Sequence, residues 1–282
     1  MAQTEDKIYL ITGANTGIGK ATALGLAKTR GMVLLLCRNE RKGEKAKEEI
    51  VRLTGNEQVY LYIMDLASFK SVRNTAQEMK KRFNKIDVLV NNAAAFYTSF
   101  ALTDDGFERQ FQVNHLSGFL LTLLLLDHVK AADDGRIINV SSKGNYKGAI
   151  HFEDLNLEKN YNGLKAYRQS KLANVLFTYE LARRLSDSKV TVNTLHPGVV
   201  GTQIGYANNR RLPALVWWLG RHFMINDEQG AETTLYLALS EEISGVTGKY
   251  FDKCKPKRSA DKSYDLALAQ KLWDISEEYV GL

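Results

Sequence analysis

The chain alternates short apolar runs with longer stretches of helical period. Lys7–Thr12 (KIYLIT), Met32–Cys37, Val59–Met64 and Ile86–Val90 are brief and rich in Val, Ile and Leu. Bounded runs of that kind suit strands buried on both faces. Between them Ala21–Thr29, Arg41–Leu53 and Ser71–Phe83 read as helices, the second strongly charged on one face. The pattern goes on with a long apolar-striped helix over Phe107–Val129, a strand at Arg136–Val140 and a helix over Leu164–Leu185. A strand at Val190–Leu195 and a short one at Gly248–Phe251 follow. This alternation predicts an α/β fold, a doubly wound parallel sheet of about seven strands with helices on both faces. No linker rich in Ser, Gly or Pro divides the chain, so one domain is expected over 1–282.

Ligands of such sheets bind beyond the carboxyl ends of the strands, and the residues there are informative. The first strand runs into Gly13-Ala-Asn15-Thr-Gly17-Ile18-Gly19-Lys20 and then into a helix. Strand, glycine-rich turn and helix start form a cradle for a pyrophosphate, with the helix amides and dipole facing the anion. The spacing is GxxxGxG, and a plain strand-to-helix turn is the competing reading. The second strand ends in Cys37-Arg38-Asn39, where an enzyme using NAD usually carries an acid for the ribose hydroxyl. Arg38 stands there instead, and a guanidinium suits a phosphate, so NADP(H) is expected, with Lys20 or Arg41 assisting. Asp65 ends the third strand and either faces the adenine amino group or caps the helix starting near Ser68. Ser141 and Ser142 follow the fifth strand, where a hydroxyl either binds a substrate oxygen or caps a turn.

Tyr167 and Lys171 are four residues apart in the stretch LKAYRQSKLANVLFTYELARRL. A helix puts that pair on one face, one turn apart. An ammonium beside a phenol favours the phenolate and lowers its pKa, making the tyrosine a usable acid or base. An isolated pair at this spacing is equally an ordinary helix face.

Composition narrows the class. The chain has 282 residues, 44% hydrophobic and 25% charged, with only two cysteines. That is globular composition without a disulfide framework, which suits a reducing, cytoplasmic setting. No basic and apolar leader opens the chain, and the apolar run Phe119–Leu126 is too short to span a bilayer. The net charge of +6 is spread through mixed-sign helices, with no nucleic-acid motif beside it. The five histidines have no paired spacing for a metal.

Taken together, TGANTGIG at Thr12–Gly19, DL at Asp65–Leu66, NNAA at Asn91–Ala94, Asn114, VSS at Val140–Ser142, YRQSK at Tyr167–Lys171 and HPGVV at His196–Val200 resemble the short-chain dehydrogenase/reductase family. CRNERKGE, IHFEDLN and GKYFDKCK are similar to segments of its retinol dehydrogenase-like branch. The resemblance implies a single Rossmann-type domain. It implies that Tyr167 donates the proton to a carbonyl during reduction and that Lys171 lowers its pKa and holds the nicotinamide ribose. Ser142 would polarise the carbonyl, with Ser141 as fallback, and Asn114 would hold a relay water. The cofactor site would take Thr12, Gly13, Asn15, Gly17, Ile18 and Gly19, then Arg38, Asp65, Leu66, Asn91 and Ala93. Pro197, Gly198, Val200 and Thr202 would complete it, beside Tyr167 and Lys171. Ala94 departs from the family's usual glycine, which is tolerated if its φ is negative.

Specificity is expected in the 202–227 segment, where Leu212, Leu215, Val216, Trp217, Trp218, Leu219 and Phe223 are flanked by Arg210, Arg211 and Arg221. This is either a lid over an apolar pocket or, through 210–225, a peripheral contact with a membrane surface, with ordinary core or dimer packing as the remaining alternative. Either reading predicts a lipophilic aldehyde or ketone, such as a retinoid, steroid or fatty aldehyde, reduced with NADPH. The alternatives are an NAD-dependent alcohol dehydrogenase and a cofactor-sensing binding protein of low turnover. The stripes of Phe107–Val129 and Leu164–Leu185 serve either a homodimer seam or the sheet.

Overall fold

The computed structural model describes residues 7–198 and 226–282. Its strands are β1 (Ile8–Thr12), β2 (Met32–Cys37), β3 (Val59–Ile63), β4 (Val88–Asn91), β5 (Arg136–Val140), β6 (Thr191–His196), β7 (Tyr250–Asp252) and β8 (Lys255–Lys257). They form one sheet in the order β3-β2-β1-β4-β5-β6-β7-β8. All pairs are parallel except β7 with β8. The order reverses between β1 and β4, which opens a crevice at the carboxyl ends of those strands.

The helices are α1 (Gly17–Ala27), α2 (Glu40–Thr54), α3 (Phe69–Arg82), α4 (Ser117–Lys130), α5 (Gly163–Arg184), α6 (Asp227–Leu239) and α7 (Leu266–Val280). Alternate residues of each central strand enter two separate cores. Leu10, Leu34, Leu89, Ile137 and Val192 meet the faces of α3, α4, α5 and α7. Tyr9, Ile11, Val33, Val90 and Leu195 meet α1, α2 and α6. Covering both faces is what makes these strands read as unbroken apolar runs. No described helix is long and apolar enough to cross a membrane.

The structure departs from the sequence expectations in three places. The sheet has an eighth strand, Lys-Pro-Lys, exposed throughout and antiparallel at the edge. Lys253 and Cys254, with φ of 53° and 59°, turn the chain back into it, the left-handed geometry that two-residue hairpins need. Second, the helix expected over Phe107–Val129 begins at Arg109 and passes through a π turn at Gln112–Leu116 before α4. Third, α1 starts inside the glycine motif, at Gly17.

The stripes of α4 and α5 are spent on the sheet and on α7. Trp273 of α7 lies 5.0 Å from Phe119 and 5.9 Å from Phe177, ring centre to ring centre. Arg184 stacks over its indole at 4.1 Å.

Candidate active site

The glycine loop is held by contacts that tolerate no side chain. Gly13 and Gly17 have φ of +67° and +57°, a region L side chains rarely adopt. A Cβ on Gly19 would lie 2.3 Å from the Gly13 carbonyl oxygen and 2.5 Å from Nδ2 of Asn92. Thr16, before α1, makes no capping bond with its side chain, so no hydroxyl competes for the first amides of the helix.

A cavity of about 650 Å³ runs from this loop in two directions. One end is bordered by Arg38, Asn39 and Lys42, the other by Tyr167, Lys171 and the segment from Asn92 to Tyr97. Asn15, Ile18, Asp65, Leu66 and Pro197 also line it.

Several expected residues have other occupations. Thr12 does not line the cavity. Its hydroxyl accepts from the amides of Asn92 and Ala93 at 3.0 Å each, latching β1 to the end of β4. Asn91 is also structural: Nδ2 donates to Thr122 Oγ1 at 2.8 Å and to Asn139 Oδ1 at 2.9 Å. As the last residue of β4 it faces inward, and Asn92 lines the cavity instead. Gly198 has a φ of +95° and is not among the lining residues. Val200, Thr202, most of the 202–227 segment and the 210–225 stretch lie outside the described residues.

Neither Lys20 nor Arg41, the cations expected to assist Arg38, is among the lining residues. Lys20 is paired with both oxygens of Glu49 at 3.0 Å. Lys42 borders the cavity, its backbone amide held by the Asn39 cap at 2.9 Å. Asp65 accepts from the amide of Ala67 at 2.9 Å, while Ser68 is the cap of α3. The choice left open for Asp65 therefore falls against helix capping. Ala94 has no positive φ, so its methyl group causes no backbone strain.

At the other end, α5 carries Tyr167 and Lys171. The two serines divide their work. The Ser141 hydroxyl donates to the Lys171 carbonyl at 2.8 Å. Ser142 accepts from the Gly144 amide at 3.2 Å and is a hydrogen-bonding neighbour of the Tyr167 phenol. The Lys171 ammonium donates to the Val140 carbonyl at 3.0 Å and is 1% exposed. Burial drives its pKa down to about 8.

The expectation that Lys171 lowers the phenol's pKa needs correcting. Burial pushes the Tyr167 phenol up, and the group that opposes it is Ser142. The ammonium sits 5.7 Å from the Tyr167 ring centre, with its hydrogen bond directed at Val140. Asn114 lies in the π turn. Its Oδ1 accepts from the Ala95 amide at 2.7 Å, and its Nδ2 donates to Ala95 O and Ser170 Oγ at 3.0 Å each. Its side chain is thus bound to protein on both sides.

Phe96, Tyr97, Val113, Lys42 and Asp227 line the cavity without having been expected there. Phe96 packs edge-on to Tyr167, ring centres 5.8 Å apart. Asn92 lies inside the NNAA motif and Phe96 and Tyr97 follow shortly after it, and that adjacency was the one available signal for them. Cys37 is no nucleophile, since burial pushes its thiol up to about 12.

Comparison with known proteins agrees with this geometry. The family model for short chain dehydrogenases matches residues 7–212. Mouse retinol dehydrogenase 13 is 47% identical, covering 98% of this chain and 84% of its own. Mouse retinol dehydrogenase 14 is 45% identical, covering 98% and 86%. The crystal structure of an uncharacterized protein from Mycobacterium paratuberculosis superposes with a TM-score of 0.79 at 34% identity, over 98% of this chain and 93% of that one. The match to the family model and the identity to these relatives over nearly the whole chain show that the protein belongs to the short-chain dehydrogenase/reductase family of oxidoreductases, in its retinol dehydrogenase-like branch.

Proposed function

We propose that the chain is an NADPH-dependent reductase of lipophilic aldehydes and ketones, with Tyr167 as the proton donor. The observation that carries the reading is one cavity with cations at its far end and a half-buried phenol at its near end.

The cavity suits a phosphorylated dinucleotide. Gly19 is pressed against Gly13 and Asn92 with no room for a Cβ, the close packing that lets a glycine loop present its backbone to a pyrophosphate. Arg38 and Lys42 border the end that takes the adenosine ribose, and a guanidinium with an ammonium favours a 2′-phosphate over a free hydroxyl. The nicotinamide itself supplies the hydride.

The protein's own residues control the proton. The raised phenol keeps Tyr167 protonated at neutral pH, the form needed to give a proton to a carbonyl oxygen. Ser142 hydrogen-bonds the same oxygen and so orients the carbonyl. Lys171, with its pKa near 8, releases a proton more readily than an ordinary lysine and can restore the phenol. Asn114 holds Ala95 and Ser170 and so positions the wall against α5. The lining at Ala94, Ala95, Phe96 and Val113 is apolar and favours a lipophilic substrate, in keeping with the names of its retinol dehydrogenase relatives.

The test is consumption of NADPH with a panel of retinoid, steroid and fatty carbonyl compounds. Tyr167→Phe should lower kcat/KM by about 10²–10⁴-fold, the range for loss of a general acid. Full activity in that variant would refute the mechanism.

A further inference from the structure

The cavity wall beside Tyr167 is apolar from Ala93 to Phe96 and changes character at Tyr97. Tyr97 is held on two sides. The Arg109 guanidinium lies 3.5 Å from its ring centre. Its carbonyl accepts from Nε2 of Gln110 at 3.1 Å. The same amide nitrogen donates to the Gly163 carbonyl at 3.1 Å and the Tyr161 hydroxyl at 2.7 Å, so the Tyr97 main chain is bound to the first turn of α5. A Cβ on Gly163 would come within 2.1 Å of the Tyr97 oxygen, so the two backbones are in contact. Gln110 is completely buried.

Arg109 thus occupies a face of the ring, and the carbonyl is turned towards α5. Among the described residues the Tyr97 hydroxyl has no hydrogen-bond partner. A fixed phenol lining an otherwise apolar wall is the kind of polar handle that orients a ligand. Phe96, edge-on to Tyr167, precedes it along the wall. Tyr97 follows Phe96 in the chain and lines the same cavity as Tyr167.

Resting on the reductase reading above, we infer that Tyr97 determines specificity by hydrogen-bonding a second oxygen on the substrate. The site then favours lipophilic aldehydes and ketones that carry a distal hydroxyl or carbonyl over their deoxy counterparts. Discrimination follows because an analogue without that oxygen covers the hydroxyl and leaves it unpaired.

Two measurements test this. One is kcat/KM with NADPH for aldehydes and their ω-hydroxy analogues over a series of chain lengths. The other needs no turnover: equilibrium binding of the matching diols and monoalcohols to the protein with NADP⁺ added. The hydroxylated partner should be preferred about fivefold to tenfold at one favoured length, the worth of a single neutral hydrogen bond. Tyr97→Phe keeps the ring and its stack on Arg109, and should bring that preference to about one in both measurements. A preference that survives Tyr97→Phe, or none at any length in the wild type, overturns the assignment. Binding that shows a Tyr97-dependent preference without any reduction of aldehydes would sink the reductase reading and leave this site standing. Turnover without such a preference would sink this inference alone.

Discussion

The Asn114 amide donates to the Ser170 hydroxyl at 3.0 Å, joining the π turn before α4 to the helix turn that carries Tyr167 and Lys171. The same side chain holds both polar groups of Ala95. Three elements around the cavity therefore meet at one residue, and the extra residue of the π turn lets it reach them. Asn114→Leu would leave the Ala95 amide and carbonyl without these partners, at about 1–3 kcal/mol for buried groups. Both kcat/KM and the melting temperature should fall, as steady-state kinetics and a thermal scan would reveal. An unchanged kcat/KM would mean that the segment is positioned by something else.

Two glycines make opposite predictions. Gly19→Ala drives a methyl group to within 2.3 Å of a backbone oxygen that cannot retreat. NADPH affinity should drop by more than about tenfold as the cradle is displaced, a loss above about 1.4 kcal/mol. Gly118→Ala, on α4, meets Asn91 at 3.5 Å, an ordinary contact. It should leave stability unchanged or raise it by about 0.5–1 kcal/mol, the helical preference of Ala over Gly. Fluorescence titration with NADPH and urea unfolding separate the two cases.

Under the proposed function, the cofactor preference should rest on Arg38 and not on every nearby cation. Arg38→Asp replaces a phosphate partner with a carboxylate and should weaken NADPH by about 10–100-fold relative to NADH, the 1.5–3 kcal/mol of a charged hydrogen bond. Lys20→Ala should leave that ratio alone, because Lys20 is already paired with Glu49. If Lys20 proves the stronger determinant, the assignment of the phosphate end is wrong.

These contrasts mark what could be read from the sequence. The alternation of strands and helices, the glycine cradle and the Tyr167–Lys171 offset were legible because each is a local spacing. The π turn was not, since one extra residue barely disturbs an apolar stripe. Neither was β8, whose Lys-Pro-Lys carries no apolar signal and forms only because Lys253 and Cys254 reverse the chain. Asn91 and Asn92 are adjacent and chemically identical. Only the end of β4 decides that the first bonds into the sheet and the second lines the cavity. Arg41 and Lys42 differ likewise in phase on α2, and only the second lines the cavity. The effect of burial on Tyr167 had no local spacing to announce it.

Acid should destabilise the fold in a defined window. His115 and His196 are buried, and burial lowers both pKa values from 6.5 to about 4. The unfolded chain takes up these protons below about pH 6.5, and the folded chain does so only near 4. Stability is therefore fully present above 6.5 and is lost as pH falls towards 4, at up to about 1.4 kcal/mol per pH unit for each histidine. Urea midpoints measured between pH 7 and 5 should fall, and His115→Phe should flatten the slope by about half if the two histidines contribute equally. A slope unaffected by His115→Phe would assign the acid sensitivity elsewhere.

Lys171 sets function against stability. It is a fully buried ammonium with one hydrogen bond, to Val140, and the drop of its pKa from 10.5 to about 8 records the cost of keeping it charged. Lys171→Met has similar length and carries no charge. Removing a buried, poorly paired charge is often neutral or stabilising, so the variant should gain about 1–2 kcal/mol at pH 7 after the lost hydrogen bond is counted. The gain should shrink above pH 8, because the wild-type lysine then becomes neutral in the fold. Activity should move the other way, falling by about 10²-fold or more with the loss of a proton-supplying group. Wild-type kcat should likewise decline above about pH 8 as the ammonium is lost. A thermal scan at pH 7 and pH 9 beside the pH profile of kcat separates these effects. A variant both less stable at pH 7 and still active would mean that the ammonium is there to hold α5 on β5 and takes no part in moving the proton.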